Sequence, residues 1–415
     1  VPLYLTALNP TDAVTHGLLP AAARVGTEVV LLTDSPDAHR AAYAGHPHPP
    51  RAVVPVAVRD AAAVAARVLA LRRRFGAAEA LFSNSDHLQT PTALAAELLD
   101  LPAKPWRAAQ RCKHKFLTRR TLAAAGLDTV ACVEIDDQID VDDTAAIAAG
   151  LPYPVVVKPC EGVASEDVVL VPDPGALRTR VAQIRAHRPG AALLVEEYLP
   201  GPVRTYETLG DGAALHHLGS WRTALGPPPH FAETRLDWDP LLPEPVHAHL
   251  RAQLAALGVG LGACHTEFVV HGDRARIIEV NYRLIGDTMD LVCAELLGID
   301  LFAILIRLHR GESLPADLPD PAPLDRHARV DYVLADRAGR LADAPAEGVV
   351  DLPEGVRLGH RLLRAVGTSA GWHGTNRDYV AVVHAIGPDA ARVNTALDRY
   401  RAAAAWPIEP AAASA

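Results

Sequence analysis

Glu279, Asn281 and Arg283 stand two residues apart in Ile277-Ile278-Glu279-Val280-Asn281-Tyr282-Arg283. Side chains at that spacing on a β-strand project from one face, so the three share a face while Ile278 and Val280 point into the opposite layer. A carboxylate, an amide oxygen and a guanidinium side by side make a poor core and a good site for a polyphosphate and its metal. Upstream runs His265-Thr266-Glu267-Phe268-Val269-Val270, and His271-Gly272-Asp273 between the two runs reads as a hairpin turn. A loop of three or five residues puts Glu267 on the face of Glu279; an even loop puts it on the other. Two carboxylates and an amide so placed are hard oxygen ligands for Mg²⁺, which takes its remaining ligands from water and phosphate. The competing reading is an amphipathic hairpin with one wet face.

Lysine usage singles out further residues. The chain has 40 basic residues, and only Lys104, Lys113, Lys115 and Lys158 are lysines. Against such a bias, a retained lysine marks a place that needs a compact ammonium rather than a planar fork. Lys158 ends the valine run of Pro154-Val155-Val156-Val157-Lys158-Pro159 and precedes Cys160-Glu161-Gly162-Val163-Ala164-Ser165, a turn small enough to lie near an anion. The alternative is a surface lysine with a buried stem. Lys115 begins a helix crowded with Arg111, Lys113, His114, Arg119 and Arg120, and by itself reads as solvated charge. There is no GxxxxGK[ST] and no GxGxxG after the first strand. Gly258-Val259-Gly260-Leu261-Gly262 fits a close helix–strand junction better than a phosphate loop, and His46-Pro47-His48 and His247-Ala248-His249 lack co-ligands at metal spacing.

The elements that must carry these residues follow from the pattern. Strand-like runs at Val1–Ala7, Glu28–Thr33, Ala52–Val56 and Ala80–Ser83 alternate with helical spacing at Ala13–Val25 and Ala61–Phe75, which predicts an open parallel sheet with ligands at the strands' carboxyl ends. Thr15-His16-Gly17, Asp34 and Ser83-Asn84-Ser85-Asp86 fall at such ends, for substrate contact or for capping. After Pro102–Pro105, Gln110–Gly126 reads as one helix, and a small α+β unit with strands around 154–159, 170–171 and 192–198 and a helix over Pro174–His187 runs to about 195. A larger antiparallel unit holds the hairpin, with closing helices over Asp287–Leu297 and Leu301–Arg310. Beyond the Pro- and Asp-rich stretch Pro315–Pro323, residues 326 to about 405 form a mixed module in which Tyr379–Ile386 reads as a strand without recognisable chemistry, and the Ala-rich end reads as frayed.

At 415 residues with 49% hydrophobic content, the chain can build two to four subdomains, and no apolar run reaches the ~20 residues a bilayer requires. A net charge of −9 without a basic block argues against nucleic acid. Five scattered cysteines without CxxC indicate neither a zinc knuckle nor a disulfide framework. With nothing like a signal peptide at the N-terminus, a soluble cytoplasmic protein is the expectation.

Taken in order over roughly residues 80 to 310, these pieces resemble the ATP-grasp ligase superfamily. The resemblance implies an N-terminal open parallel α/β domain over 1–105, a small ATP-grasp subdomain over 106–195, a large subdomain with the metal site over 196–315, and a C-terminal mixed module over 316–415. It implies that Lys115 and Lys158 are the nucleotide lysines and that Gly162 and Ser165 lie on a mobile loop over the phosphates. Glu196, Glu197 and Tyr198 match the hinge that holds adenine. Glu267, Glu279 and Asn281 match the ligands of Mg²⁺, with Mn²⁺ as a possible substitute, and Arg283 the arginine on the transferring phosphoryl group. The chain departs from the family where glycines give way to Ala164 and Asp167, the latter unfavourable near phosphate. It also has Val203 where many members carry a ribose-binding Glu; Glu207 or Arg204 is the candidate replacement. Arg222 to Thr234 is similar to the substrate segment of the amino-acid-ligase branch, which makes Arg222, His230, Glu233 and Arg235 candidate substrate contacts, with Gly286 and Asp287 nearby. The run Glu279–Asp287, with Asn281-Tyr282-Arg283-Leu284-Ile285-Gly286-Asp287, weakly resembles members of siderophore assembly.

The function implied is that of an ATP-dependent carboxylate–amine ligase. ATP phosphorylates a small-molecule carboxylate, and an amine displaces phosphate from the acyl phosphate. A homodimer is one arrangement left open. The rivals are an ATP-grasp kinase and a nucleotide-binding protein that no longer turns over.

Overall fold

The computed structural model describes residues 2–322 and 324–410. Val1, Pro323 and residues 411–415 of the Ala-rich end, all named in the sequence reading, lie outside that range.

Pro2–Thr6, Glu28–Thr33, Ala52–Pro55 and Ala80–Phe82 form the expected parallel sheet, with Pro2–Thr6 flanked by Glu28–Thr33 and Ala80–Phe82 and Ala52–Pro55 on the outer edge. Its strands are apolar on both faces because both faces are covered. Leu3 and Leu5 pack with Leu18, Phe302 and Leu305, whereas Tyr4 and Val30 pack with Val64 and Val68 of the helix Ala61–Phe75. The carboxyl ends of Pro2–Thr6 and Ala80–Phe82 open towards the rest of the molecule.

The small unit is a four-stranded antiparallel sheet ordered Cys132–Ile135, Leu193–Glu197, Val155–Pro159, Val169–Val171. Val155, Val157, Leu193 and Val195 pack on Leu177, Val181 and Ile184 of the helix Pro174–His187. By strand alternation Val156, Lys158, Leu194 and Glu196 therefore face away from that helix. The single helix expected over Gln110–Gly126 is two, Trp106–Lys113 and Lys115–Ala124. His114 breaks it with an extended backbone (φ −93°, ψ 101°), and the Lys115 amide donates to the Cys160 carbonyl at 2.9 Å.

The largest sheet has ten strands. One edge is the hairpin Leu261–His271/Arg274–Asn281, followed by Val203–Asp211, Trp221–Leu225 and Glu233–Trp238. The sheet then runs without a break into His327–Leu334, Tyr379–Gly387, Arg357–Leu362 and Gly348–Asp351. Segments read as separate, on either side of residue 315, thus share one sheet. The helix Glu244–Leu257 ends at Gly258 with φ 87°, as a helix–strand junction requires. Among the described residues no helix is long and apolar enough to cross a membrane.

Candidate functional site

A cavity of about 690 Å³ lies where the three main sheets converge. One wall is the hairpin, whose face is set by an irregularity. His271 pairs with Arg274, so the loop is the two residues Gly272-Asp273, an even number that by itself puts Glu267 and Glu279 on opposite faces. A β-bulge intervenes: Phe268 pairs with Ile277 and Glu267 with Glu279, leaving Ile278 as the extra residue. The two carboxylates therefore stand opposite each other, and both line the cavity with Asn281 and Arg283. The bulge also corrects the expectation for Ile278. Ile277 and Val280 enter the core below, while Ile278 turns to the cavity and packs beside Val203, Leu199 and Val269.

Each of these two carboxylates already has a cation. Lys115 Nζ lies 3.0 Å from Glu279 Oε1 and 3.4 Å from the Gly162 carbonyl. His265 sits between Glu207 (Nδ1 to Oε1, 2.8 Å) and Glu267 (Nε2 to Oε1, 3.4 Å). Burial disfavours its charge, but the two carboxylates outweigh burial and raise its pKa to about 10, so it is an imidazolium. Burial likewise opposes ionisation of Glu267, and the charged His265 more than offsets it. Arg283 donates to the carbonyls of Leu284 and Ile285 at 2.6 Å each and approaches Asp86 at 3.5 Å. Asp86, at the carboxyl end of the fourth parallel strand, also pairs with Lys113. Burial acts to raise its pKa; Arg283 and Lys113 prevail and hold it below the ordinary value.

Lys158 is not a surface lysine. It is 3% exposed, and its Nζ lies 2.6 Å from Glu196 Oε1 and 3.3 Å from the carbonyl of the bulged Ile278. Glu196 binds Arg119 Nε at 2.7 Å through its other oxygen, and Arg119 also donates to the Ile277 carbonyl at 2.5 Å. One carboxylate thus serves two buried cations. Burial pushes Glu196 towards neutrality, but Arg119 and Lys158 win and hold it at about 2. Lys158 falls below the ordinary lysine value because burial, with Arg119 and Lys115 near, outweighs its share of Glu196. Glu197 accepts from the Ala131 amide at 2.8 Å and from Arg276 at 2.9 Å. Past it, Tyr198, Leu199, Val203, Leu225, Phe231, Ile278 and Val156 make the apolar end of the cavity.

The turn after Lys158 roofs this space: Gly162, Val163, Ala164, Ser165 and Glu166 all line it. Ala164, Ser165 and Asp167 hold φ of 57°, 54° and 61°, a region in which side-chain-bearing residues cost about 1–2 kcal/mol each. The strain is held by ties outside the loop. Asp167 pairs with Arg180 and Arg188 at 2.9 Å each, Glu166 with Arg188 at 2.7 Å and Arg377 at 2.6 Å, and Ser165 Oγ donates to the Phe231 carbonyl at 3.2 Å. Asp167, expected to face phosphate, is drawn instead towards the basic side of the helix Pro174–His187 and does not line the cavity.

Glu233, paired across the sheet with Leu225, also lines the cavity. Its Oε2 lies 3.4 Å from Asn376 Nδ2 and 3.5 Å from the Tyr379 hydroxyl, and among the described residues no cationic side chain reaches ion-pair distance of it. Burial first, and Glu267 second, raise its pKa to about 8. Asp287 lies near, raised by burial, with the Tyr332 hydroxyl 3.5 Å away. Tyr332 and Tyr379 stack with centroids 4.1 Å apart and planes within 4°. Tyr332, Asn376, Arg377 and Tyr379 all line the cavity, so the C-terminal module, including Tyr379 of the strand read as lacking recognisable chemistry, supplies part of its wall. No local signal announces them. His265 was not singled out in the sequence, although its alternation with Glu267 on one strand is a signal that could have found it.

Five candidates do not reach the cavity. Glu207, considered for ribose, is spent on His265, while Arg204, its alternative, holds Asp239 and the Leu241 carbonyl. Arg222 is exposed on Trp221–Leu225, Arg235 is tied to Asp237, and His230 packs against Trp372 at 6.1 Å between ring centroids. Glu233, Gly286 and Asp287 do line it.

No protein-family profile matches the chain. It is 28% identical over 211 residues to the ATP-grasp enzyme fsqD of Aspergillus fumigatus, covering 50% of this chain and 35% of that protein. It is 29% identical over 280 residues to carnosine synthase 1 of Homo sapiens, covering 60% and 33%. The chain thus matches only about a third of the length of these curated relatives. Among solved structures, the L-amino acid ligase from Bacillus licheniformis superposes with a TM-score of 0.78 at 20% identity, over 98% of this chain and 99% of that one. Phosphoribosylglycinamide synthetase from Anaerococcus prevotii gives 0.69 at 12% identity, over 99% and 100%. Biotin carboxylase from Campylobacter jejuni gives 0.67 at 15%, over 98% and 92%. At these identities the likeness is one of architecture, and the architecture of this chain is the ATP-grasp fold.

Proposed function

We propose that this chain is an ATP-dependent carboxylate–amine ligase that releases ADP and phosphate through an acyl phosphate, in amino-acid or natural-product biosynthesis. The observation that carries the reading is the meeting, in one roofed cavity, of two facing carboxylates with Asn281 and three cations, Lys115, Lys158 and Arg283. Glu267, Glu279 and Asn281 offer only hard oxygens on one face, which suits Mg²⁺ or Mn²⁺; held there, the ion would neutralise phosphate charge. The apolar end beside Tyr198 and Ile278 takes the adenine. Lys115, Lys158 and Arg283 face the phosphates, and catalysis is positioning and electrostatics rather than covalent chemistry. The loop 160–167 excludes water, which would otherwise hydrolyse an acyl phosphate. Glu233, lacking a cation of its own, meets the substrate amine and takes up its proton. Similarity of fold to an L-amino acid ligase over nearly the whole of both chains supports amino acids as the substrate class.

The test is ADP release with Mg²⁺ across pairs of amino acids and other amines, with product masses measured. A condensed product, formed one for one with ADP, is expected. A stable phosphorylated acceptor would replace the ligase with a kinase, and no substrate-stimulated ADP release would refute turnover.

A further inference from the structure

Outside the cavity, the small unit brings together three side chains that the reading above leaves unused. His114 stands at the break between the helices Trp106–Lys113 and Lys115–Ala124, Glu134 is on the strand Cys132–Ile135, and Cys160 follows the strand Val155–Pro159. One nitrogen, one oxygen and one sulphur from them lie within 4.8 Å of one another. His114 Nε2 is 3.6 Å from Glu134 Oε1, and Cys160 Sγ is 3.8 Å from the same oxygen. Tetrahedral zinc, with bonds of about 2.0–2.3 Å, spaces its donors at roughly 3.4–3.6 Å; the two contacts of Glu134 are within a few tenths of an ångström of that spacing, and the third pair lies within 4.8 Å. The thiol is buried, while His114 and Glu134 keep 18% and 30% of their side-chain surface, which leaves an entry path and room for water as a fourth ligand.

We infer that His114, Glu134 and Cys160 form a site for a borderline-soft divalent cation of the Zn²⁺ class, distinct from the hard-oxygen site of the cavity. The donors decide the class: Mg²⁺ has little use for sulphur or imidazole, whereas zinc takes one of each with a carboxylate. Proton balance is explicit. The thiol gives up its proton to solvent as the metal–sulphur bond forms, as metal binding to cysteine requires. His114 Nδ1 now accepts the Leu117 amide at 3.4 Å; coordination through Nε2 puts the ring proton on Nδ1 and ends that long capping bond. The site lies at the root of the roofing loop, because the Cys160 carbonyl holds the Lys115 amide and the Cys160 amide donates to Ala192 at 2.9 Å. An occupied site would therefore tie the loop's root to the helix that carries Lys115.

Co²⁺ added to the full chain in excess Mg²⁺ tests the inference, since only a sulphur ligand gives the intense thiolate-to-cobalt charge-transfer absorption. The band should saturate at about one Co²⁺ per chain and be displaced by Zn²⁺. It should vanish in Cys160→Ser and in His114→Ala, and persist in Cys132→Ser, which removes a thiol two residues from Glu134. Metal-free circular dichroism melts establish that each variant is folded; should Cys160→Ser not be, loss of the band in the more exposed Glu134→Gln variant carries the test. Absence of the band in the wild type, or its survival in a folded Cys160→Ser or in both His114→Ala and Glu134→Gln, overturns the site.

Discussion

Replacing Glu196 with Gln probes the buried charge that one end of the cavity is built on. The substitution keeps shape and volume but leaves Arg119 and Lys158, side chains 5% and 4% exposed, facing an amide instead of a carboxylate. Two independent routes give the size of the effect. Glu196 is held at about 2 against an ordinary 4.5, and at 1.36 kcal/mol per pKa unit this is roughly 3 kcal/mol of folding free energy at neutral pH. Removing one partner from a buried ion pair costs about 3–5 kcal/mol in other proteins. The sign fixes the pH window: a depressed carboxylate contributes its stability above pH 4.5, and that contribution disappears as pH falls towards 2. Glu196→Gln should therefore lose about 3 kcal/mol at pH 7 and show a weaker dependence on pH between 4.5 and 2. Urea unfolding, paired with hydrogen exchange of Leu193–Glu197 so that the small sheet is read separately, measures both. A second variant, Glu196→Gln with Lys158→Met, removes the stranded ammonium and should recover part of the loss. A loss under about 0.5 kcal/mol, the range of ordinary surface changes, would mean that solvent screens the triad and that the electrostatic argument for this end of the cavity is wrong.

Three other outcomes are expected. Glu267→Gln and Glu279→Gln should each abolish turnover while leaving the fold intact, with the melting temperature lowered more by Glu279→Gln, which strips buried Lys115 of its carboxylate, than by Glu267→Gln, after which His265 keeps Glu207; wild-type rates in either would remove the hairpin from the proposed metal site. Backbone amides of residues 161–168 should exchange more slowly with an ATP analogue and Mg²⁺ bound, and Arg377→Ala, which frees Glu166 from one of its two arginines, should quicken exchange without nucleotide. Glu233 has a folded pKa of about 8, so its contribution to stability is complete below pH 4.5 and is lost as pH rises through 8. The Glu233→Gln melting temperature should accordingly fall less than that of the wild type between pH 5 and 9, and parallel melting curves would contradict the raised pKa.

The sequence revealed strands and charged residues more readily than it revealed their distant neighbours. Ala61–Phe75 and Pro174–His187 were legible to the residue, because apolar spacing and capping residues Asp60 and Asp173 are local signals. The facing of Glu267 and Glu279 could be posed only as a question of loop parity. The observed loop is even and Ile278 supplies the missing half-step, a compensation without a signature in residue type. The break at His114 was hidden because the helical pattern runs straight through it; the Cys160 carbonyl, 46 residues away in the chain, takes the Lys115 amide. Tyr332, Asn376 and Tyr379 were invisible for a related reason. Tyr332 and Tyr379 sit on strands that look like ordinary core, with Asn376 in the short helical turn just before the second, and they come to Glu233 only because Glu233–Trp238 pairs with His327–Leu334 and that strand with Tyr379–Gly387.

That strand order bears on how the protein can be cut. The proline-rich stretch near residue 320 invites a shortened chain ending there, with both cavity-lining lysines, Lys115 and Lys158, retained. Such a fragment would strip His327–Leu334 from Glu233–Trp238 and leave hydrogen-bonding groups of Arg235, Leu236 and Asp237 open along a fresh edge. Beside them Leu236, Trp238 and Trp221 would lose the cover of Ala328, Val330 and Tyr332. An open edge next to bare aromatic surface is a template for pairing between molecules. The fragment should precipitate or form β-rich aggregates rather than bind nucleotide, and the seam that looks like a linker in the sequence is a poor place for scissors.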